Sequence, residues 1–127
     1  MKKAASILQI ITALAFLMAG FMKAYTPYDD LLNQMPWVEG FSPIQVQMIS
    51  VLELLGALGL VLPLVIKSIT NQLAVVSGLG LCLIMVGAVI THIIRMEFAD
   101  AVAPLILGSL ATYVAYYRRE EMREKEE

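Results

Sequence analysis

The hydrophobic positions of the chain fall into four long apolar blocks separated by short polar stretches. About 20 apolar residues in a helix cross the hydrocarbon core of a bilayer, so each block predicts a transmembrane span. The predicted spans are residues 4–22, 43–65, 73–94 and 101–117, followed by a charged tail at 118–127. Residues 1–127 are therefore predicted to form a single transmembrane domain, with the tail as a helical extension into water.

Local signals define several helix ends. Ser42 is a preferred N-cap residue and Pro43 suits the first helical position, so the second span is expected to begin there. Asp100 can cap the fourth span, and Pro63 predicts a kink or an end in the last turns of the second. Small residues that allow close helix packing are expected at Ala15, Ala19, Gly78, Gly80, Gly87 and Ala88.

The longest connection, residues 24–42, carries four aromatic residues and is broken by Pro27 and Pro36. Aromatic residues are enriched at the membrane interface, which favours an interfacial loop. Two alternatives remain open for this segment: a short amphipathic helix on the surface, or a lid over a site.

Composition and charge strengthen the membrane assignment. Hydrophobic residues make up 59% of the chain and the mean hydropathy is +0.76, which is typical of an integral membrane protein. Of nine Lys and Arg residues, only Lys23 and Arg95 lie on the side opposite the termini in the four-span arrangement. This positive-inside bias predicts cytoplasmic termini, and the short connections predict an all-α, up-down-up-down four-helix bundle.

Several function classes lose support at this stage. Cys82 is the single cysteine, so no intrachain disulfide and no paired-cysteine redox motif is present in the sequence. The sequence has no metal-ligand spacing, no glycine-rich phosphate loop and no nucleophile elbow, and no basic patch that would bind nucleic acid. No catalytic residue and no metal ligand is predicted.

Three ionisable residues lie at or within the predicted spans: Lys23, Glu53 and His92. A charge near the middle of a span costs about 2.5–3.5 kcal/mol on insertion scales, so Glu53 needs a partner, a proton or a function. Helical side chains lean toward the N-terminus of their helix. Glu53 therefore leans outward while Lys23 and His92 lean inward, and all three are predicted to converge in one layer of the outer half of the bundle.

Three interpretations of this cluster stay open. The first is structural, with Glu53 neutralised by Lys23 or His92 to hold helix register. The second is a polar pocket that holds a proton or the head of an amphipathic ligand, such as a quinone ring. The third leaves Glu53 protonated and alone. The candidate ligand- or proton-binding residues are thus Lys23, Glu53 and His92.

Three segments resemble a known family. AGFMKAY at the end of the first span, ELLGALGLVLP in the second and VGAVITHI in the third are similar to the DoxX-like family of small four-span membrane proteins. The resemblance places that family's characteristic Lys, Glu and His on Lys23, Glu53 and His92. It implies a bacterial inner-membrane protein linked to quinone redox chemistry, with electrons passing through a partner subunit or the quinone itself.

The functional prediction is a ligand-binding or accessory subunit of a membrane redox system. Its expected partners are the lipid bilayer, a redox partner subunit and further copies of the same chain, without nucleic acid. A quinone is the cofactor that the resemblance implies. The alternatives are a small proton-coupled transporter and a purely structural membrane subunit, and an enzymatic activity would require a bound redox cofactor.

Overall fold

The computed structural model describes residues 2–127, and over this range the chain is helical with no β-strand. A 3₁₀ helix, Pro36–Gly40, precedes the third of the α-helices. The α-helices are α1 (Lys2–Tyr25), α2 (Tyr28–Gln34), α3 (Pro43–Val65), α4 (Gln72–Ile94) and α5 (Val102–Glu126). The all-helical prediction is confirmed for the described residues, but five α-helices are present where four were predicted.

The four long helices contact one another in a ring: α1 lies between α3 and α5, and α4 lies between the same two. Neighbours run in opposite directions. Along α1 and α3, for example, Gln9 meets Leu60 while Lys23 meets Glu53. We call residues 28–40 the cap, the nearby end of the ring the cap end, and the opposite end the tail end.

Three helices in the described part of the chain, α1, α3 and α4, are long and apolar enough to cross a membrane. Their most apolar windows have mean hydropathies of 2.0, 2.3 and 2.6. Outward-facing side chains on them are also apolar, as at Met18, which is 73% exposed, and Leu55, which is 58% exposed. Large apolar residues on the outside of a helix suit a hydrocarbon surrounding rather than water. In α5 the apolar part is shorter, because charged residues begin at Arg118.

The start of α3 follows the local sequence signals. The Ser42 hydroxyl accepts a hydrogen bond from the Gln45 backbone at 3.2 Å, and the Gln45 side chain accepts one from the Ser42 backbone at 2.9 Å. This capping box satisfies two backbone N–H groups that the first turn leaves free. Pro63 does not end the helix, which continues to Val65.

The cap is the additional structure that the four-span prediction lacked. Leu31, Val38 and Val46 are buried together, and they tie the cap to the first turns of α3. The Tyr28 hydroxyl donates a 2.6 Å hydrogen bond to the carbonyl oxygen of Phe41. The connection forms α2 because it has its own small apolar core, and two aspartates in its first turn complement the helix dipole.

Close packing depends on only some of the predicted small residues. A Cβ atom added to Gly78 would lie 2.8 Å from the Ala111 carbonyl oxygen, so α4 and α5 touch there at backbone distance. At Gly80 and Gly87 an added Cβ would have no neighbour within 4 Å among the described atoms. On α1 the backbone of Gly20 lies close to α3, and the Ser50 hydroxyl donates a 2.6 Å hydrogen bond to the Gly20 carbonyl oxygen.

Candidate functional site

A buried ion pair joins α1 and α3 in the half of the ring nearer the cap. Lys23 Nζ lies 2.7 Å from Glu53 Oε1, and the Glu53 residue is only 1% exposed. Lys23 is 8% exposed and reaches the carboxylate from the last turn of α1. The two side chains lean toward each other because α1 and α3 are antiparallel. An acid in mid-helix is thereby paired with a cation from its nearest neighbour in the ring.

His92 pairs with a carboxylate of the turn that follows α4 rather than with Glu53. Its Nδ1 atom is 3.1 Å from Glu97 Oε1, and it makes no hydrogen bond to Glu53 within residues 2–127. The chain reverses just after α4, where Met96 has a φ of 60° and the Glu97 backbone donates a 2.8 Å hydrogen bond to the His92 carbonyl oxygen. This turn places a carboxylate next to the imidazole, so His92 has a partner from its own turn.

The ion pair and His92 nevertheless line the same cavity, which has a volume of about 660 Å³. The cap covers it through Trp37, whose ring centroid lies 6.4 Å from that of His92 in an edge-on arrangement. Apolar side chains of α4 and α5 form most of the remaining wall. They include Leu83, Ile84, Met85, Ala103 and Leu107. The three predicted residues therefore share one space, although only two of them touch.

The rim of this cavity carries a second polar group. Besides His92, Glu97 Oε1 has a neighbour in Arg95, whose Nε lies 3.1 Å away. Burial alone would raise the pKa of the Glu97 carboxyl, but the hydrogen bonds from His92 and Arg95 outweigh it and lower that pKa below its ordinary value. One ligand-type atom each from His92, Glu97 and Asp100 lies within 4.8 Å of the other two.

A polar network at the tail end was not anticipated. Arg118, which the sequence analysis assigned to the solvated tail, is only 4% exposed. Its Nε donates a 2.7 Å hydrogen bond to Gln9 Oε1, and another of its nitrogens lies 2.9 Å from the Ser6 hydroxyl. The Gln9 amide in turn donates a 2.6 Å hydrogen bond to the Leu60 carbonyl oxygen. This network joins α1, α3 and α5.

A sequence signal for the network does exist. Gln9, Thr12, Phe16 and Lys23 recur at helical spacing and occupy the buried face of α1. A polar Gln9 on the buried face of an apolar helix needs a hydrogen-bond partner, and Arg118 is the first cation of α5, at the same end of the ring.

The helices, their apolar outer faces and the buried charges define the class: a membrane protein with transmembrane helices. The chain matches the model of the DoxX-like family over residues 7–114, and it belongs to that family. The match includes the cap, all of α3 and α4, most of α1 and the first half of α5, with Lys23, Glu53 and His92 inside it. No curated protein and no solved structure matches the chain.

Proposed function

We propose that the protein is an up-down-up-down four-helix membrane protein that binds an amphipathic molecule of the quinone type in its capped cavity. The observation that carries the proposal is the composition of the cavity wall. A mainly apolar space of about 660 Å³ contains a buried Lys23–Glu53 pair and an edge-on His92–Trp37 pair. Ligand pockets of this volume with few polar groups typically bind small, largely apolar molecules.

The polar groups suit the chemistry of a quinone ring. Its carbonyl oxygens accept hydrogen bonds, and the Lys23 ammonium has three donors, of which Glu53 receives one. His92 offers a ring nitrogen, which either donates or accepts according to its tautomer. In this arrangement Glu53 compensates the charge of Lys23 and holds its donors toward the cavity.

A second apolar space supports a ligand with a hydrophobic tail. A groove of about 610 Å³ lies between α4 and α5, and Met85 and Pro104 line both this groove and the capped cavity. A quinone ring in the cavity would therefore lie next to its isoprenoid tail in the groove. Such a tail would then lie against the hydrocarbon-facing side of the ring of helices.

The wider setting rests on charge and on the family. The Lys and Arg distribution favours cytoplasmic termini and a cap end outside the cytoplasm. With an inner-membrane location, the protein would act as a ligand-binding or accessory subunit of a redox system, and a partner subunit or the quinone would carry electrons. Self-association through further copies stays a prediction, and cross-linking in native membranes tests it.

The single tryptophan of the chain provides a direct test. Trp37 lines the cavity, so a short-chain quinone added to protein in lipid nanodiscs should quench its fluorescence in a saturable manner. Lys23→Met should weaken this binding at least about tenfold, since a hydrogen bond to a charged group is worth about 1.5–3 kcal/mol. Lys67→Met, which removes an exposed lysine at the tail end, is the matched control.

Two outcomes would contradict the proposal. One is quenching that rises linearly with quinone concentration, as collisions in the lipid would produce. The other is saturable quenching that is unchanged in both Lys23→Met and His92→Ala. Organic extraction of the purified protein should also recover quinone from the wild type and less from Lys23→Met.

A proton-coupled carrier is the second candidate, and one observation favours it. The buried face of α1 carries Gln9 and Thr12 near the tail end and Lys23 near the cap end, with Phe16 between them. A carrier needs a water path past Phe16. Thiol labelling in a Cys82→Ser background tests this: Ile49→Cys, in the cavity, should react under both hypotheses, whereas Ala57→Cys should react only in a carrier.

A further inference from the structure

The turn after α4 brings together three side chains of the kinds that bind metal ions. A ring nitrogen of His92 and one carboxylate oxygen each from Glu97 and Asp100 lie within 4.8 Å of one another. Metal–ligand bonds of about 2.0–2.2 Å place two ligand atoms of one ion at most about 4.4 Å apart. The three ligand atoms would therefore move closer together on binding, and the exposed Asp100 side chain has room to rotate toward the other two.

The surroundings of these atoms resemble the outer shell of a metal site. Arg95 Nε and His92 Nδ1 both contact the same oxygen of Glu97, Oε1, which leaves its other carboxylate oxygen available. Of these two neighbours, Arg95 is an outer contact of the kind that orients a ligand in metal sites. His92, Glu97 and Asp100 also line the capped cavity, so an ion held there would lie at the cavity wall.

We propose that His92, Glu97 and Asp100 form a binding site for a divalent first-row transition metal ion, of the Zn²⁺ or Mn²⁺ type, at the rim of the capped cavity. One imidazole nitrogen with two carboxylate oxygens is a mixed donor set. Ca²⁺ and Mg²⁺ prefer oxygen ligands, so the imidazole ligand favours a transition metal ion over them. The sequence spacing did not reveal the site, because Asp100 and Glu97 reach His92 only through the reversal at Met96.

Three protein ligands leave at least one coordination position open. Closed four-ligand sites are structural, whereas three-ligand sites retain a position for water or another ligand. The three proposed ligands line the same cavity as Trp37 and the Lys23–Glu53 pair. The ion would therefore sit where a molecule in the cavity could coordinate it. Metal binding itself does not depend on the proposed quinone function.

Metal titration of the full-length, untagged protein tests the site. Protein in detergent is first stripped with chelator and then titrated with Co²⁺, whose visible absorption reports nitrogen and oxygen ligation in Zn²⁺-type sites. We expect the protein to bind one equivalent of Co²⁺. Zn²⁺ should displace the bound Co²⁺, whereas millimolar Ca²⁺ or Mg²⁺ should not. His92→Ala and Asp100→Asn should each weaken binding by more than about tenfold, the lower bound seen for loss of even an outer-shell contact.

Matched variants separate this site from other acidic residues. Asp30→Asn and Glu39→Gln each remove an exposed carboxylate from the cap, and they should bind Co²⁺ like the wild type. Asp100→Asn changes an exposed side chain, so it should keep the fold even where His92→Ala does not. Helical circular dichroism of each variant checks this.

Three results would overturn the proposal: no Co²⁺ binding by the wild type, binding that Asp100→Asn and His92→Ala leave unchanged, or equal competition by Ca²⁺. The Trp37 quenching experiment, run in the presence of chelator, reports quinone binding separately. A wild-type protein that binds quinone but no Co²⁺ would thus overturn the metal site alone.

Discussion

Replacing Lys23 by methionine removes the cation from a carboxylate that has almost no access to water. Glu53 is 1% exposed, and Lys23 is its hydrogen-bond partner in the described structure. Methionine keeps the length and much of the apolar stem of lysine, so packing around the site should change little. The variant therefore isolates the electrostatic contribution of the pair.

The expected loss of unfolding free energy is large for either single substitution and small for the double substitution. Removing one partner of a buried ion pair typically costs about 3–5 kcal/mol, because an uncompensated charge stays buried. Replacing both partners by apolar residues of similar volume is often neutral or stabilising. We therefore expect Lys23→Met and Glu53→Leu each to destabilise the protein by about 3–5 kcal/mol, and the double variant to cost much less than their sum.

A double-mutant cycle measures this coupling. Apparent unfolding free energies from SDS titration in mixed micelles should be compared for the wild type, both single variants and the double variant. Lys67→Met, at an exposed position, should lie within about 0.5 kcal/mol of the wild type. Single costs that simply add would refute the reasoning, since they would mean that the two side chains do not share one interaction.

The cycle also separates a structural role from a binding role. If the pair only holds the helices in register, the double variant should recover both stability and cellular phenotype. If Lys23 donates to a ligand, the double variant should be stable and still fail to bind quinone. A stable Glu53→Gln variant with no phenotype would favour the purely structural subunit.

Three further predictions follow from local geometry. Gly78→Ala should cost about 1–3 kcal/mol, because the new methyl group presses on the backbone of α5, whereas Gly80→Ala should be neutral or slightly stabilising in the same SDS assay. Arg118→Met should cost about 1–3 kcal/mol by leaving the buried Gln9 side-chain oxygen without its donor, whereas the exposed Arg119→Met should cost little; thermal unfolding in detergent compares them. Ser42→Ala should cost about 1 kcal/mol through loss of the N-cap, and native-state hydrogen exchange should increase in the first turn of α3 alone.

The long helices were predictable because a bilayer imposes a length and an apolar composition that can be read residue by residue. Residues 43–65 were predicted as a span, and α3 has the same bounds. The cap was harder, since its stability comes from Leu31 and Val38 packing on α3, a contact between segments with no shared periodicity. Pro63 was also ambiguous, because a proline in the last turns of a span either ends the helix or is tolerated within it, and here the helix continues to Val65.

Some contacts of the polar residues were likewise predictable from the sequence, and others were not. The contact of Lys23 with Glu53 follows from depth and from the lean of helical side chains, both of which are local rules. The hydrogen-bond partner of His92 does not follow from these rules, because the backbone reversal at Met96 brings the Glu97 carboxylate next to the imidazole. Arg118 was misassigned because a cation at the start of a charged run is usually solvated. Its burial depends on Ser6 and Gln9, more than a hundred residues away in sequence.

The two polar clusters give the ring of helices different ends. At the tail end, Arg118 links α5 directly to α1 through Gln9 and Ser6. At the cap end, Ala19 and Lys23 of α1 and Leu107 of α5 instead lie around the cavity. Between the two ends, Phe16 is fully buried among apolar neighbours. A path through the whole protein would have to break the Arg118 network and also displace Phe16. The arrangement therefore favours a pocket that a ligand enters and leaves at the cap end.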